Sequence, residues 1–215
     1  MAPLPSSLYV ICDADVCEGA GWTLADFASA CLDGGARLLQ VRAKHAAAGW
    51  LLDTTVAIVE RGAPSGALVL LNDRADLARL AAAGGVHVGQ EDLTPASVRL
   101  IVGPDSVVGL STHTVDQCEA AARDPVSYIA VGPVFGTTTK STGYDDVGLG
   151  HVRRAAARTA EHGIPLVAIG GISLERARSV IEAGAQSIAV ITDLLATGDP
   201  ATRVQQFLRE LGEAN

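Results

Sequence analysis

A single-domain (β/α)8 TIM barrel is the fold class this sequence predicts, on three observations. Eight short apolar, β-branched runs recur through the 215 residues, alanine- and leucine-rich stretches separate them, and no run leads into a dinucleotide-binding glycine fingerprint. Near-continuous apolar runs read as strands buried on both faces, as in a parallel sheet. Eight strand–helix units in this length is barrel arithmetic, and a closed barrel leaves no sheet edge to protect. An open doubly wound sheet is the weaker alternative, since eight parallel strands without the fingerprint do not suit it. The length suits one large domain and is short for two, so the barrel is expected to span residues 1–215. Residues 1–7, polar and proline-rich, are expected to be loosely ordered.

The strands are expected at Leu8–Cys12, Arg37–Arg42, Ala67–Asn72, Val86–Gly89, Val107–Ser111, Ser127–Gly132, Leu166–Gly170 and Gln186–Ile191. Helix-start chemistry lies between them. Thr94-Pro95 and Asp199-Pro200 each place a capping side chain before a proline at the first helical position, and Thr114-x-x-Gln117 is a capping box. Gly34 and Gly184 suit helix stops.

Composition excludes several classes of function. A net charge of −8 opposes nucleic-acid or anionic-membrane binding, so any bound anion must be held by a local cluster. Met1–Ser7 lacks the cationic start and apolar core of a secretory signal, and no apolar stretch approaches a membrane span. A cytoplasmic protein acting on small molecules is expected; self-association into a homo-oligomer is compatible with the sequence. Cys12, Cys17, Cys31 and Cys118 show no CxxC pairing and are expected to be reduced thiols, with Cys12 and Cys31 as core filler.

Among 16 cationic residues only Lys44 and Lys140 are lysines, and both follow strand-like runs in short polar clusters. A lysine is a compact point charge and an arginine a planar fork, so the two are not interchangeable around a phosphate. Active sites of such barrels lie at the C-terminal strand ends. The second strand ends Gln40-Val41-Arg42-Ala43-Lys44, and its period-two alternation points Gln40, Arg42 and Lys44 to one side. The third ends Asn72-Asp73, the fourth runs into Gly89-Gln90-Glu91-Asp92, and the fifth ends Ser111-Thr112-His113. The sixth leads to Gly132-Pro133-Val134-Phe135-Gly136-Thr137-Thr138-Thr139-Lys140, the seventh to Gly170-Gly171 before a helix, and the eighth to Ile191-Thr192-Asp193.

Two anion sites follow. Gly170-Gly171 before a helix N-terminus allows close backbone approach and offers N–H groups, beside the end of the eighth strand. A lone Gly-Gly would be a tight turn; at the seven/eight position it reads as a phosphate cup. Arg42, Lys44 and Lys140 bring cations to the mouth, with Asn72 as a further donor, while Asp73 and Asp92 offer hard oxygen ligands. Asp92 alone could be an ordinary loop residue, but with the cations the pair suits a magnesium-bound diphosphate.

The strings Gln-x-Arg-x-Lys, Asn-Asp, Gly-Gln-x-Asp, Ser-Thr-His, Gly-Pro-x-Phe-x-Thr-x-Thr-Lys and Ile-Gly-Gly-Ile, in this order and spacing, resemble the thiamine-phosphate synthase family from about Leu8 to Leu211. The resemblance implies a transferase that joins hydroxymethylpyrimidine diphosphate to thiazole phosphate, releasing diphosphate. It further implies that Arg42, Lys44, Asn72 and Lys140 hold the diphosphate, and that Asp73 and Asp92 bind Mg²⁺. Gln40 and Ser111 would touch the pyrimidine, and Thr137, Thr139, Gly171, Ile191 and Thr192 the thiazole phosphate. Gly136 stands where the family often has proline, and Thr192 replaces the usual serine, keeping the hydroxyl and adding a methyl.

No residue in the set pairs a nucleophile with a base, so a covalent enzyme intermediate is not expected. The protein instead has to pull on the leaving group, with Lys140, Lys44 and Arg42 as the catalytic cations and Gly136–Gly150 as a lid. Three alternatives are weaker. A thiazole tautomerase of the same fold would use His113 for proton transfer and leave Asp73 and Asp92 without a role. A sugar-phosphate isomerase or epimerase would need a convincing acid–base pair. A noncatalytic phosphate-ligand binding barrel would keep the cup and release no diphosphate.

Overall fold

The structure, a computed structural model, describes residues 4–136 and 146–213. The described chain alternates strands and helices: β1 (Leu8–Asp13), α1 (Ala14–Gly19), α2 (Leu24–Asp33), β2 (Leu38–Arg42), α3 (Ala48–Gly62), β3 (Leu68–Asn72), α4 (Ala75–Leu80), β4 (Gly85–Val88), α5 (Pro95–Val102), β5 (Val107–Thr112), α6 (Val115–Ala121), β6 (Tyr128–Val131), α7 (Gly148–Glu161), β7 (Leu166–Ile169), α8 (Leu174–Glu182), β8 (Ser187–Val190) and α9 (Pro200–Glu210). All strand pairings are parallel and follow chain order, and β1 closes on β8 through Leu8 opposite Ile188. The expected (β/α)8 barrel is therefore the observed one. Among the described residues no helix is long and apolar enough to cross a membrane.

Period-two alternation divides each strand between two apolar layers. Leu8, Val10 and Cys12 of β1 and Leu39 and Val41 of β2 pack outward into the layer shared with the helices. Tyr9, Ile11, Leu38, Leu70, Tyr128, Ala130, Val167 and Ala189 form a second cluster that fills the barrel. Tyr128 fits because it faces a glycine: a Cβ on Gly109 would run into its ring. Tyr9 meets Tyr128 edge to face, with centroids 5.9 Å apart, a favoured aromatic geometry.

The helix signals sit where expected, with one change of role. Thr94, Thr114 and Asp199 each accept a hydrogen bond from a backbone N–H three residues on. Gln117 completes its box one residue early, accepting from the N–H of His113 at 2.7 Å. At the end of α2, Gly34 is right-handed and Gly35 takes the left-handed turn at φ 102°. Gly34 is small for another reason: a Cβ there would lie 2.5 Å from the carbonyl oxygen of Ala201 on α9. At the opposite end of the barrel from the site, Ser6 is buried and its Oγ donates to Glu213 at 2.7 Å, tying residues 6 and 213 together.

Candidate active site

Five of the expected substrate-binding residues, Gln40, Ser111, Gly171, Ile191 and Thr192, line one cavity at the C-terminal mouth of the barrel. They come from the ends of four strands, β2, β5, β7 and β8, or the turns after them, so parallel closure alone brings them together. Tyr9, His87 and His113 line the same cavity. Its floor is a hydrogen-bonded chain. Gln40 Nε2 donates to the Tyr9 hydroxyl at 2.7 Å, that hydroxyl lies 3.0 Å from the hydroxyl of Tyr128, Tyr128 lies 2.7 Å from His87 Nδ1, and His87 Nε2 lies 2.7 Å from Ser111 Oγ. Burial pushes both phenols far above their ordinary pKa, so they remain protonated donors. His113 forms the wall: its Nδ1 lies 2.6 Å from the carbonyl oxygen of Gly132.

The expected diphosphate and metal residues form a second group beside this cavity, at the ends of β2, β3 and β4. Arg42 is buried and ion-paired to Asp13, its neighbour in register across β1 and β2. Lys44 Nζ lies 3.6 Å from Asp73 Oδ2. Asn72 is buried at the end of β3, opposite His87. Asp73 adopts a left-handed φ of 62°, which turns the chain sharply at the strand end. Burial raises the Asp73 pKa, and the adjacent Asp92 carboxylate raises it further, against the opposing pull of Lys44. Asp92 accepts from the N–H of Gly89 at 2.8 Å, which fixes the loop after β4.

This geometry changes the charge balance expected at the mouth. Arg42 and Lys44 do not stand as bare cations: Asp13 faces one and Asp73 the other. The carboxylates Asp73 and Asp92 are held together without a compensating pair for each, and such a site favours a divalent cation. Two carboxylates also leave most of an octahedral shell for phosphate oxygens and water, so the donor set fits Mg²⁺.

The expected phosphate cup is present as a turn and differs in its donors. Gly170 and Gly171 have φ of 106° and 60°, and both press against the segment after β6. A Cβ on Gly170 would lie 2.5 Å from Pro133 Cα, and one on Gly171 would lie 2.6 Å from the carbonyl oxygen of Gly136. The glycines thus serve the close approach of this segment. The first N–H of α8 is not bare: Leu174 donates to Asp193 Oδ2 at 3.3 Å, and the same carboxylate pairs with Arg203 at 2.7 Å. The glycine turn and the Ile191-Thr192 end of β8 both line the cavity. Thr137, Thr139, Lys140 and most of the expected lid fall outside the described residues.

Sequence reasoning missed Asp13, Tyr9, Tyr128 and His87. A signal existed for two of them: Asp13 directly follows the first apolar run, and His87 stands between Val86 and Val88 where a buried run should be apolar.

The family model described as thiamine monophosphate synthase matches residues 8–194. A thiamine-phosphate synthase of Koribacter versatilis is 46% identical over 206 residues, 95% of each chain. One from Roseiflexus castenholzii is 38% identical over 207 residues, covering 94% of this chain and 88% of the relative. Among solved structures, thiamine phosphate pyrophosphorylase from Pyrococcus furiosus superposes with a TM-score of 0.86 at 27% identity, covering 96% of both chains.

Proposed function

The chain belongs to the thiamine monophosphate synthase family, and from that premise we propose that its barrel mouth joins hydroxymethylpyrimidine diphosphate to thiazole phosphate. The products are thiamine phosphate and diphosphate. The observation that carries the reading is the adjacency of two unlike groups at the mouth: the cavity lined by Gln40, Ser111, Gly171 and Thr192, and the Lys44–Asp73–Asp92 cluster beside it. One suits two flat rings and a phosphate, the other a metal-bound diphosphate.

In the reaction, the C–O bond between the pyrimidine methylene and the diphosphate breaks, with its electron pair leaving on oxygen. The aminopyrimidine stabilises the positive methylene, and the lone pair of the thiazole nitrogen closes the new C–N bond. Mg²⁺, held by Asp73 and Asp92, would supply charge neutralisation for the leaving diphosphate. Arg42, Lys44 and Lys140 stabilise the same growing charge, and Asn72 donates to the phosphates. Gln40 and Ser111 orient the pyrimidine, while Thr137, Thr139, Gly171, Ile191 and Thr192 hold the thiazole phosphate. Ring alignment in a cavity that excludes water keeps the cation for the thiazole rather than for hydrolysis. The reading places the enzyme in the cytoplasm as one barrel domain, acting on small molecules rather than a nucleic acid or bilayer.

The test is diphosphate release and thiamine phosphate formation with both substrates and with each alone, across a magnesium titration. Stoichiometric release of both products with both substrates, dependent on the metal, is expected. Binding of both substrates without either product would instead identify a noncatalytic barrel.

A further inference from the structure

Arg42 is one of the cations placed on the leaving group, and its surroundings are more constrained than those of Lys44. Its side chain is 10% exposed and that of Asp13, its ion-pair partner, 3%. The two are register neighbours at the C-terminal ends of β1 and β2. The Asp13 carboxylate is tied at both oxygens. Oδ2 takes Arg42, and Oδ1 accepts from the N–H of Val16 at 3.2 Å, capping α1. It cannot swing without opening that first turn. The Nε of Arg42 is buried with no hydrogen-bond partner among the described residues, so Asp13 is the contact that orients the guanidinium. A guanidinium has five N–H donors in a rigid fork, and one carboxylate engages only part of them.

We propose that Asp13 is a positioning residue of this active site: it anchors Arg42 so that the remaining donors of the fork are already aligned when the diphosphate departs. The inference rests on the assignment of Arg42 to the diphosphate made above. Asp13 does not touch substrate; it acts through Arg42. An unanchored arginine at this position would have to find its geometry anew in each turnover, and a misplacement of about 1 Å is enough to lose about 10²-fold in rate. The pair also keeps a buried guanidinium compensated before substrate arrives, so the cation can stand at the mouth without exposure.

Asp13→Asn separates this role from the cap. The amide oxygen can still accept from Val16, while the charge and the acceptor that faces Arg42 are lost. We expect kcat for thiamine phosphate formation to fall by about 10-fold to 10²-fold, with KM for thiazole phosphate unchanged. In a double-mutant cycle, Asp13→Asn added to Arg42→Ala should leave kcat where Arg42→Ala alone puts it, because the intermediary is gone. The same addition should raise the melting temperature above that of Arg42→Ala, since it removes an unpaired buried carboxylate. Losses in kcat that multiply across the cycle, or parent-like kcat in Asp13→Asn, would overturn the proposal. Parent-like kcat and parent-like inhibition by inorganic diphosphate in Arg42→Ala alone would overturn the assignment of Arg42, and this inference with it, and is read from that single variant. Should Asp13→Asn fail to fold, Asp13→Glu keeps the charge and displaces it by one methylene; the same fall in kcat is expected, and unchanged kcat refutes the positioning role.

Discussion

The Nε2 of His87 lies 2.7 Å from the Oγ of Ser111, and this contact ends a chain that begins at the amide of Gln40. Gln40 can only donate to Tyr9 from its nitrogen. If every buried proton is to be used, Tyr9 donates to Tyr128, Tyr128 to His87 Nδ1, and His87 Nε2–H to Ser111. The hydroxyl proton of Ser111, which lines the cavity, is then left for another acceptor. Polarity fixed on one side of the barrel thereby decides what the other side can recognise.

Tyr128→Phe removes the middle of that chain and keeps the ring. It strands the Tyr9 proton and the His87 Nδ1 acceptor, and a buried polar group left unsatisfied costs about 1–3 kcal/mol. For a chain of this size we expect a melting temperature lower by about 2–4 °C per kcal/mol, with KM for the pyrimidine diphosphate raised and KM for thiazole phosphate unchanged. Calorimetry and steady-state kinetics check both. An unaltered melting temperature would remove Tyr128 from the chain.

Asp92→Asn should shift metal dependence without unfolding the barrel. Asp92 is exposed, and the Asn oxygen can still accept from Gly89. Loss of an outer-shell partner costs about 10-fold to 10²-fold in metal affinity, and loss of a direct carboxylate should cost no less. The magnesium concentration for half-maximal turnover is therefore expected to rise by about tenfold or more. An unchanged titration would take Asp92 out of the metal site.

The barrel was legible because its strands are buried on both faces, which leaves near-continuous apolar runs; each expected strand overlaps an observed one, with ends differing by at most one residue. The mouth was legible where charge follows an apolar run, as at Gln40-x-Arg42-x-Lys44 and Asn72-Asp73. What was hidden depends on register. Ending the first strand at Cys12 rather than Asp13 put the partner of Arg42 outside the sheet, and only the pairing of β1 with β2 sets the two side by side. The interior chain was hidden too, because Tyr9 and Tyr128 are far apart in sequence and read as ordinary core aromatics. At Gly34-Gly35 and Gly170-Gly171 a turn was visible, but the close approach of α9 and of the segment after β6 is tertiary.

The thiols should be silent in the native protein. All four cysteines are buried, and burial pushes Cys17 up to about 12 and Cys12, Cys31 and Cys118 above their ordinary value as well. The thiolate is the reactive form, so little of it exists near neutral pH. An aromatic disulfide reagent is expected to find no fast-reacting thiol in the folded enzyme and all four in guanidinium. A rapid native reaction would show local opening, at the α1–α2 corner if the thiol is Cys17 or Cys31 and at α6 if it is Cys118.

Lys140 is one of only two lysines in the chain, and Arg42 and Lys44 both face carboxylates at the mouth. Lys140, outside the described residues, is the third cation proposed for the leaving oxygen. Lys140→Ala is expected to lower kcat by about 10²–10³, the scale of losing one transition-state donor. Lys140→Arg should not restore it, since a planar fork of different reach cannot follow the same oxygen. Parent-like turnover in both variants would return Lys140 to the surface cations.

Gly171→Ala tests whether the cup and the leaving-group loop are one mechanical unit. A Cβ at this position would lie 2.6 Å from the carbonyl oxygen of Gly136 and 2.9 Å from Phe135 Cβ, in a backbone held at φ 60°. The left-handed conformation costs a non-glycine residue about 1–3 kcal/mol, and the contact pushes the 135–136 segment away from the turn. That segment leads directly to Thr137, Thr139 and Lys140. A bulkier Gly171→Val would do the same and more, so neither substitution can act on thiazole phosphate alone. We expect weaker thiazole-phosphate binding together with a lower kcat, while affinity for the pyrimidine diphosphate, whose proposed ligands apart from Lys140 lie at or just after the ends of β2 to β5, falls less. Ligand titrations on folded protein, verified by melting temperature, separate the terms. Loss of thiazole-phosphate affinity with parent kcat at saturation would show that the turn binds the phosphate without holding the loop, and parent values throughout would move the cup elsewhere.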